Sequence, residues 1–153
     1  MIETRTQIKS IFNGSCAYVY IWFSKKAQCI YVGQTNDTYG ALGRASSHIR
    51  SSGTLRCRVY EKLGTYLERF DDWVLVSYSL PRKKQFISIE SGFRLAVEYL
   101  VQIGLQERRD SCSPPFRIVS NVTYSDHCSN PMIKIIASEI IEEFISTYAS
   151  RRL

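Results

Sequence analysis

Two runs of aromatic and β-branched residues, separated by a short polar turn, constrain the fold more than any other feature of the chain. The first run is CAYVYIWF at residues 16–23, and the second is QCIYVG at residues 28–33. These residue types favour β-strands, and the Ser24-Lys25-Lys26 turn between them predicts a hairpin. The tyrosines of this hairpin either pack in the core or point into a site, and their residue type alone leaves both interpretations open.

The rest of the chain alternates between helical and extended patterns. Asn130 and Pro131 mark the start of the last helix as its cap and its first residue. Ser88 is the predicted N-cap of a long apolar helix, and residues 106–130 are predicted to be mostly loop. The predicted elements are helix 40–51, helix 55–67, strand 72–79, helix 88–105 and helix 131–150.

These patterns predict an α+β fold with a small three-stranded antiparallel sheet flanked by helices and an extra C-terminal helix. A length of 153 residues favours a single domain over residues 1–153. Within it we expect an N-terminal arm or helix at 1–14, a core at 16–121 and the C-terminal helix at 131–150.

The composition indicates an anionic partner and a reducing environment. The net charge of +6 makes nucleic acid the first candidate among such partners. The five cysteines contain no CxxC pair, and the spacing of Cys112, His127 and Cys128 fits no common zinc site. No apolar run approaches the roughly 20 residues that span a bilayer, and the first ten residues show no signal peptide. We therefore expect a cytoplasmic protein without a membrane partner.

The two tyrosine motifs of the hairpin stand at a recognisable spacing. Tyr18-Val19-Tyr20 and Tyr31-Val32-Gly33 lie in consecutive predicted strands, with ten residues between Tyr20 and Tyr31, and Gln34-Thr35-Asn36 follows. This arrangement resembles the GIY-YIG nuclease superfamily, which is named after two such strand motifs, and in particular its small restriction- and phage-type endonucleases. Tyr18 stands where the family usually has glycine.

The resemblance extends over about residues 16–121 and implies further site residues. Arg44 and His48 match an arginine and a histidine one turn apart on the next helix, where a spacing of four places them on one face. Glu98 and Asn121 match a glutamate in a long helix and an asparagine near the end of the core. Gly33 is expected to support the site by letting the chain turn toward the helix that bears Arg44.

The residue types suit phosphodiester hydrolysis, which needs an activated water and neutralisation of the charge that gathers on phosphorus. Glu98 can hold one Mg²⁺ or Mn²⁺ ion, and Arg44 can pair bidentately with a phosphate. A tyrosine is a poor base at neutral pH unless its pKa falls below about 10, which Arg44, His48 or a metal ion can cause. The resemblance implies that Tyr20 or Tyr31 activates or positions the water, and the sequence leaves that choice open.

Two carboxylates compete for the metal, and the choice falls on Glu98. Glu90 has a structural reason to stand in the first turn of the predicted helix, where an acid complements the helix dipole. Glu98 lies between apolar residues in mid-helix, where an unpaired carboxylate is costly. Arg94, four residues before Glu98, is its possible structural partner.

The predicted function is a metal-dependent endonuclease acting on DNA, with a homodimer possible. The alternatives are a non-catalytic nucleic-acid-binding module on the same fold and a nuclease that acts on RNA. Basic residues outside the site are candidates for contacts to nucleic acid, and they are Lys25, Lys26, Arg56, Arg58, Arg82, Lys83 and Lys84.

Overall fold

The computed structural model describes Thr4–Arg5 and residues 16–151, and the fold is α+β. The strands are β1 (Thr4–Arg5), β2 (Tyr18–Ser24), β3 (Cys29–Thr35), β4 (Val74–Ser79) and β5 (Arg117–Ile118). The helices are α1 (Gly40–His48), α2 (Thr54–Leu63), α3 (Lys84–Ile87), α4 (Gly92–Arg108) and α5 (Pro131–Ser150). The predicted arm or helix at residues 1–14 lies outside the described residues, except that Thr4–Arg5 form a strand.

The sheet is mixed and has the strand order β1-β4-β2-β3-β5. Its central strands β4, β2 and β3 are antiparallel, whereas β1 pairs with β4 and β5 pairs with β3 in parallel. The prediction of a purely antiparallel three-stranded sheet is therefore wrong. Each edge strand has only two residues, which is too short for a composition or periodicity signal.

Helix boundaries follow local signals, with one clear exception. Helix α5 begins with Asn130, whose side chain accepts a hydrogen bond from the Met132 backbone N–H, as its Asn-Pro start predicts. Helix α2 ends at Gly64, which adopts the left-handed conformation that glycine favours. Helix α4 begins at Gly92 rather than at the predicted cap Ser88, because the Ser88 carbonyl accepts hydrogen bonds from Arg94 and Asn36 in a loop before the helix.

The central sheet separates two hydrophobic clusters, because side chains alternate along each strand. Val19, Ile21 and Phe23 of β2 belong to the larger cluster, which they share with α4 and α5. Tyr20 and Trp22 belong to the smaller cluster, which they share with α1 and α2. Among the described residues, no helix combines the length and hydropathy needed to cross a membrane.

Candidate active site

Two tyrosines face the smaller cluster from neighbouring strands. Tyr20 of β2 and Tyr31 of β3 are both buried, and their rings lie nearly parallel with centroids 6.5 Å apart. The hairpin register places Tyr20 opposite Gly33 and Tyr31 opposite Trp22. The two phenols therefore share one face of the sheet, as a pair of site residues requires.

Gly33 makes room for the Tyr20 phenol. A Cβ atom at this position would lie 2.4 Å from the Tyr20 hydroxyl oxygen and 2.5 Å from the ring carbon that carries it. The expectation that Gly33 lets the chain turn is wrong, because Gly33 lies inside β3, which continues to Thr35. The glycine is explained by the close approach of the ring to the backbone of the neighbouring strand.

Tyr18 occupies the position where the family usually has glycine, and it packs. Its side chain is fully buried in a small cluster with Cys16 and Ala41. Ala41 belongs to the first turn of α1, so this contact joins β2 to the helix that carries Arg44 and His48.

Helix α1 supplies a histidine and an arginine to the tyrosine pair. His48 is buried, and its Nε2 lies 2.5 Å from the Tyr20 hydroxyl oxygen. The imidazole ring also lies 5.1 Å from the Tyr31 ring, measured between centroids. Arg44, one turn earlier, is exposed, and it opposes the rise in the pKa of the Tyr20 phenol.

Glu98 approaches the same groups from α4. In its ionised form Glu98 raises the pKa of both Tyr20 and Tyr31, and Arg44 lowers the pKa of Glu98. The structure therefore brings together the five residues predicted to be catalytic, which are Tyr20, Tyr31, Arg44, His48 and Glu98.

Gln102 is a site neighbour that the sequence prediction missed. It is buried one turn after Glu98, and its Nε2 lies 3.4 Å from Glu98 Oε1, 3.1 Å from Ser120 Oγ and 3.0 Å from the Asn121 carbonyl oxygen. The Ser120 hydroxyl also accepts a hydrogen bond from the Val32 N–H of β3. A polar residue one turn from Glu98 in an apolar helix was the available signal.

Asn121 reaches this network through its main chain only. Its carbonyl accepts the hydrogen bond from Gln102, while the residue as a whole is exposed. The side-chain role implied by the resemblance stays a prediction, since the contact with Gln102 involves the main chain of Asn121.

Burial sets the protonation states of the free site. Burial, followed by Tyr31, raises the pKa of Tyr20, and Arg44 opposes the rise. Burial lowers the pKa of His48 to about 4, with a smaller contribution from Arg44. Burial raises the pKa of Glu98 to about 8, and Arg44 again opposes. At neutral pH the phenol and imidazole are neutral and Glu98 is largely protonated, so Arg44 gives the site a positive charge that suits a phosphate.

The donor set fits a single hard divalent cation. Glu98 is a carboxylate whose ionised form is poorly compensated by its surroundings, so a cation beside it would restore the charge balance. No cluster of three or more His, Cys, Asp or Glu side chains occurs in the described part of the chain. Mg²⁺ suits such a site, because it keeps several waters and is often bound by one or two carboxylates together with substrate phosphates.

Arg94 does not pair with Glu98, although its spacing allows this. Its guanidinium is buried and donates to Gln34 Oε1 at 2.8 Å and to the Phe86 and Ser88 carbonyls, each at 2.7 Å. The Glu98 carboxylate is therefore left to the site. Glu90 is exposed in the loop before α4 and not in the first turn of a helix.

Lys25, predicted to contact nucleic acid, is buried instead. Its ammonium group donates to the Arg151 carbonyl and lies 4.8 Å from the centroid of the Tyr148 ring. Burial lowers its pKa. This environment is wrong for a phosphate contact, because the group already serves the packing of α5 against the hairpin.

Other basic residues of the predicted set have internal partners at the surface. Arg56 donates to the Ile49 and Arg50 carbonyls and forms an ion pair with Glu68. Lys26 pairs with Asp71 at 2.6 Å. Arg56 thereby holds the end of α1, which is a structural role.

Arg58 of α2 lies closer to the chemistry than its sequence position indicates. Its guanidinium pairs with Glu61 at 2.6 Å, and its charge acts on the Tyr31 phenol, where it opposes the rise in pKa. The sequence identified Arg58 only as a distant candidate for nucleic-acid contact.

The structure defines an α+β domain in which a buried tyrosine–histidine pair stands beside an arginine and a carboxylate. A family model of the GIY-YIG catalytic domain matches residues 16–94, just over half of the chain. The chain therefore belongs to the GIY-YIG nuclease superfamily, which confirms the resemblance. No curated protein matches the chain, and no solved structure matches it. The matched range contains Tyr20, Tyr31, Arg44 and His48 and ends before Glu98.

Proposed function

We propose that this protein is a metal-dependent endonuclease that hydrolyses phosphodiester bonds in DNA. The observation that carries the proposal is the 2.5 Å contact between the Tyr20 hydroxyl and His48 Nε2, with Arg44 and Glu98 acting on the same phenol. A buried phenol in contact with a neutral imidazole can pass a proton to it. Arg44 suits a phosphate, and Glu98 suits a cation.

Tyr20 rather than Tyr31 is the residue we assign to the attacking water. Its hydroxyl lies 2.5 Å from His48 Nε2, whereas Tyr31 meets His48 through a contact between the two rings. The water oxygen attacks phosphorus, its proton passes to the Tyr20 oxygen, and the phenolic proton passes to His48 Nε2. The leaving 3′ oxygen takes a proton from solvent, so the step is balanced.

The substrate itself makes this proton transfer easier. In the free protein the imidazole is a weak base, because burial and Arg44 hold its pKa at about 4. A phosphate beside His48 and Arg44 adds negative charge, which favours the imidazolium form. Arg44 pairs with the phosphate and offsets the charge that builds up on its oxygens.

Glu98 is the proposed metal ligand, and Gln102 holds its carboxylate in place. A bound Mg²⁺ or Mn²⁺ would supply Lewis-acid stabilisation of the leaving oxygen. The Ser120 and Asn121 contacts of Gln102 tie the orientation of Glu98 to the segment that follows β5.

The test is cleavage of supercoiled plasmid DNA with Mg²⁺ or Mn²⁺, followed by addition of a chelator. We expect nicking or cutting that stops with the chelator, and a loss of about a thousandfold in Glu98→Gln and Tyr20→Phe. Glu107→Gln is the matched control, because Glu107 is an exposed glutamate on the same helix. Full activity in Glu98→Gln contradicts the metal assignment.

The same preparation separates the alternative functions. Parallel assays with duplex DNA, single-stranded DNA and RNA identify the substrate. Binding of nucleic acid without cleavage under all metal conditions supports the non-catalytic module, and cleavage restricted to RNA supports the RNA nuclease.

A further inference from the structure

The segment between β4 and α4 displays an unusual apolar side chain. Ile89 is 97% exposed, more than any other large hydrophobic residue in the described part of the chain. It lies in the segment of residues 82–90, which includes the short helix α3 and which we call the Ile89 loop. Single exposed hydrophobic residues are common, so the exposure becomes informative only with the features of the loop around it.

The Ile89 loop is held firmly by two side chains. The buried Arg94 donates to the Phe86 and Ser88 carbonyls at 2.7 Å each. Asn36 Nδ2 donates to the Ile87 and Ser88 carbonyls at 3.1 Å each. Ile89 follows these fixed carbonyls directly, so the loop presents it in a defined position.

The same residues connect the Ile89 loop to the candidate active site. Arg94 stands one turn before Glu98 on α4, and its Nε donates to Gln34 Oε1 at 2.8 Å. Gln34 follows Gly33 in β3. A strand that carries Tyr31 and a helix that carries Glu98 therefore fix the loop, and a substrate in the site lies on elements that also position Ile89.

The charge of the Ile89 loop matches a polyanion. Arg82, Lys83 and Lys84 are exposed at its start, and the chain has a net charge of +6. Among the described residues, Arg82 contacts Cys16 Sγ at 3.0 Å and Lys83 contacts Met132 Sδ at 3.4 Å. Glu90 is the acidic member of the loop, next to Ile89, so the favourable approach for phosphates is from the lysine side.

We propose that the Ile89 loop is a duplex-DNA contact that inserts Ile89 into the minor groove as a wedge, with Lys83 and Lys84 on the flanking phosphates. Apolar wedges on basic proteins partly unstack a base step and kink the duplex. The inference rests on the proposed function and deepens it, because it assigns part of the substrate selection to a bend beside the scissile bond.

The experiment uses a 30-base-pair duplex with fluorophores at both ends, titrated without divalent metal so that it stays intact. Energy transfer between the ends reports bending, and anisotropy reports affinity. We expect Ile89→Ala to lose the energy-transfer change and about tenfold in affinity, with an unchanged salt dependence. Lys84→Ala should instead reduce the slope of log affinity against log salt by about one.

Ile135→Ala is the matched control, since Ile135 is 60% exposed on α5, and it should behave as the wild type. Equal bending and affinity in Ile89→Ala and the wild type overturn the proposal, as does a wild type that binds only single strands or RNA. The competing proposal is that Ile89 contacts a second copy of the chain, and sedimentation tests it. If the wild type is a dimer and Ile89→Ala is a monomer, the surface is a dimer interface and the wedge proposal is overturned. Wild-type plasmid cleavage, measured in parallel, fails if the proposed function is wrong and persists if only the wedge is wrong.

Discussion

The two faces of the central sheet are built from the same strands and do different work. On one face Val19, Ile21 and Phe23 of β2 meet α4 and α5 in a cluster dominated by aliphatic and aromatic side chains. On the other face Tyr20 lies in a cluster with α1 and α2, and its hydroxyl contacts the buried His48. Alternation along β2 therefore assigns packing to one set of residues and chemistry to the next.

Burial has different consequences on the two faces of the sheet, because it adds stability on one face and shifts pKa values on the other. On the α4–α5 face, burial contributes stability through the removal of apolar area from water. On the α1–α2 face, burial raises the pKa of Tyr20 and lowers that of His48. Both side chains are therefore neutral at neutral pH, because burial removes the solvation of their charged forms. Mutations on the two faces should therefore separate into losses of stability and losses of activity.

The first effect is on the α4–α5 face of the sheet, and it is a loss of stability in Phe144→Ala. The Phe144 ring is fully buried, with an edge-to-face contact to Phe23 at 5.5 Å between centroids and a further contact to Tyr148 at 5.8 Å. Removing it should lower the free energy of unfolding by about 4 kcal/mol, because a cavity remains. Denaturant unfolding followed by circular dichroism measures this loss.

Phe144→Leu is the control for Phe144→Ala, since it keeps most of the volume and should lose far less stability. Cleavage per folded molecule should stay at the wild-type level in both variants. A variant that remains folded and no longer cuts DNA would break the division of labour between the faces.

The second effect is on the α1–α2 face of the sheet, and it is a loss of activity in Gly33→Ala. The added methyl group would collide with the Tyr20 phenol at 2.4 Å and push it away from His48. We expect about a hundredfold loss of cleavage rate, equivalent to about 2.7 kcal/mol, with a smaller loss of stability. Single-turnover cleavage kinetics and thermal unfolding measure the two quantities.

A double-mutant cycle shows whether Gly33 acts through the Tyr20 hydroxyl. In a Tyr20→Phe background the hydroxyl is already absent, so Gly33→Ala should reduce the cleavage rate little further. If Gly33→Ala cleaves at the wild-type rate, or if the two losses add in the double variant, then Gly33 does not act through the Tyr20 hydroxyl.

Much of this site is predictable because the resemblance to the family's motifs implies its residues and local signals agree with them. The hairpin follows from strand propensity, and Arg44 and His48 share a face because four residues separate them on a helix. The choice of Glu98 over Glu90 follows from the cost of a carboxylate among apolar residues. Each of these inferences needs only neighbours within a few positions.

What the sequence could not provide are the contacts between distant segments. The hydrogen bonds of Gln102 to Ser120 and Asn121 cross eighteen and nineteen positions, and the contact of Arg94 with Gln34 crosses sixty. Spacing alone allowed a pair between Arg94 and Glu98, and in the tertiary structure Arg94 has Gln34 and carbonyl partners instead. The two-residue strands β1 and β5 likewise exist through their pairing and carry no pattern of their own.

The third effect concerns burial at the candidate site itself, and it is the pH dependence of Glu98→Gln on α4. Burial raises the pKa of Glu98 to about 8 from an ordinary value of 4.5, so between these values the folded protein keeps a proton that the unfolded chain releases. Relative to Glu98→Gln, the metal-free wild type should therefore lose stability as pH rises from about 4.5 to 8. Glu98→Gln is neutral throughout, so it should match the wild type near pH 4 and exceed it in stability at pH 8.

The opposite contribution of His48, whose neutral form is favoured above about pH 4, is present in both proteins and cancels in the difference. Urea unfolding of both proteins across this range measures that difference. A difference that stays constant from pH 4 to 8 would mean that Glu98 keeps its ordinary pKa in the folded protein, which contradicts the desolvation of the site.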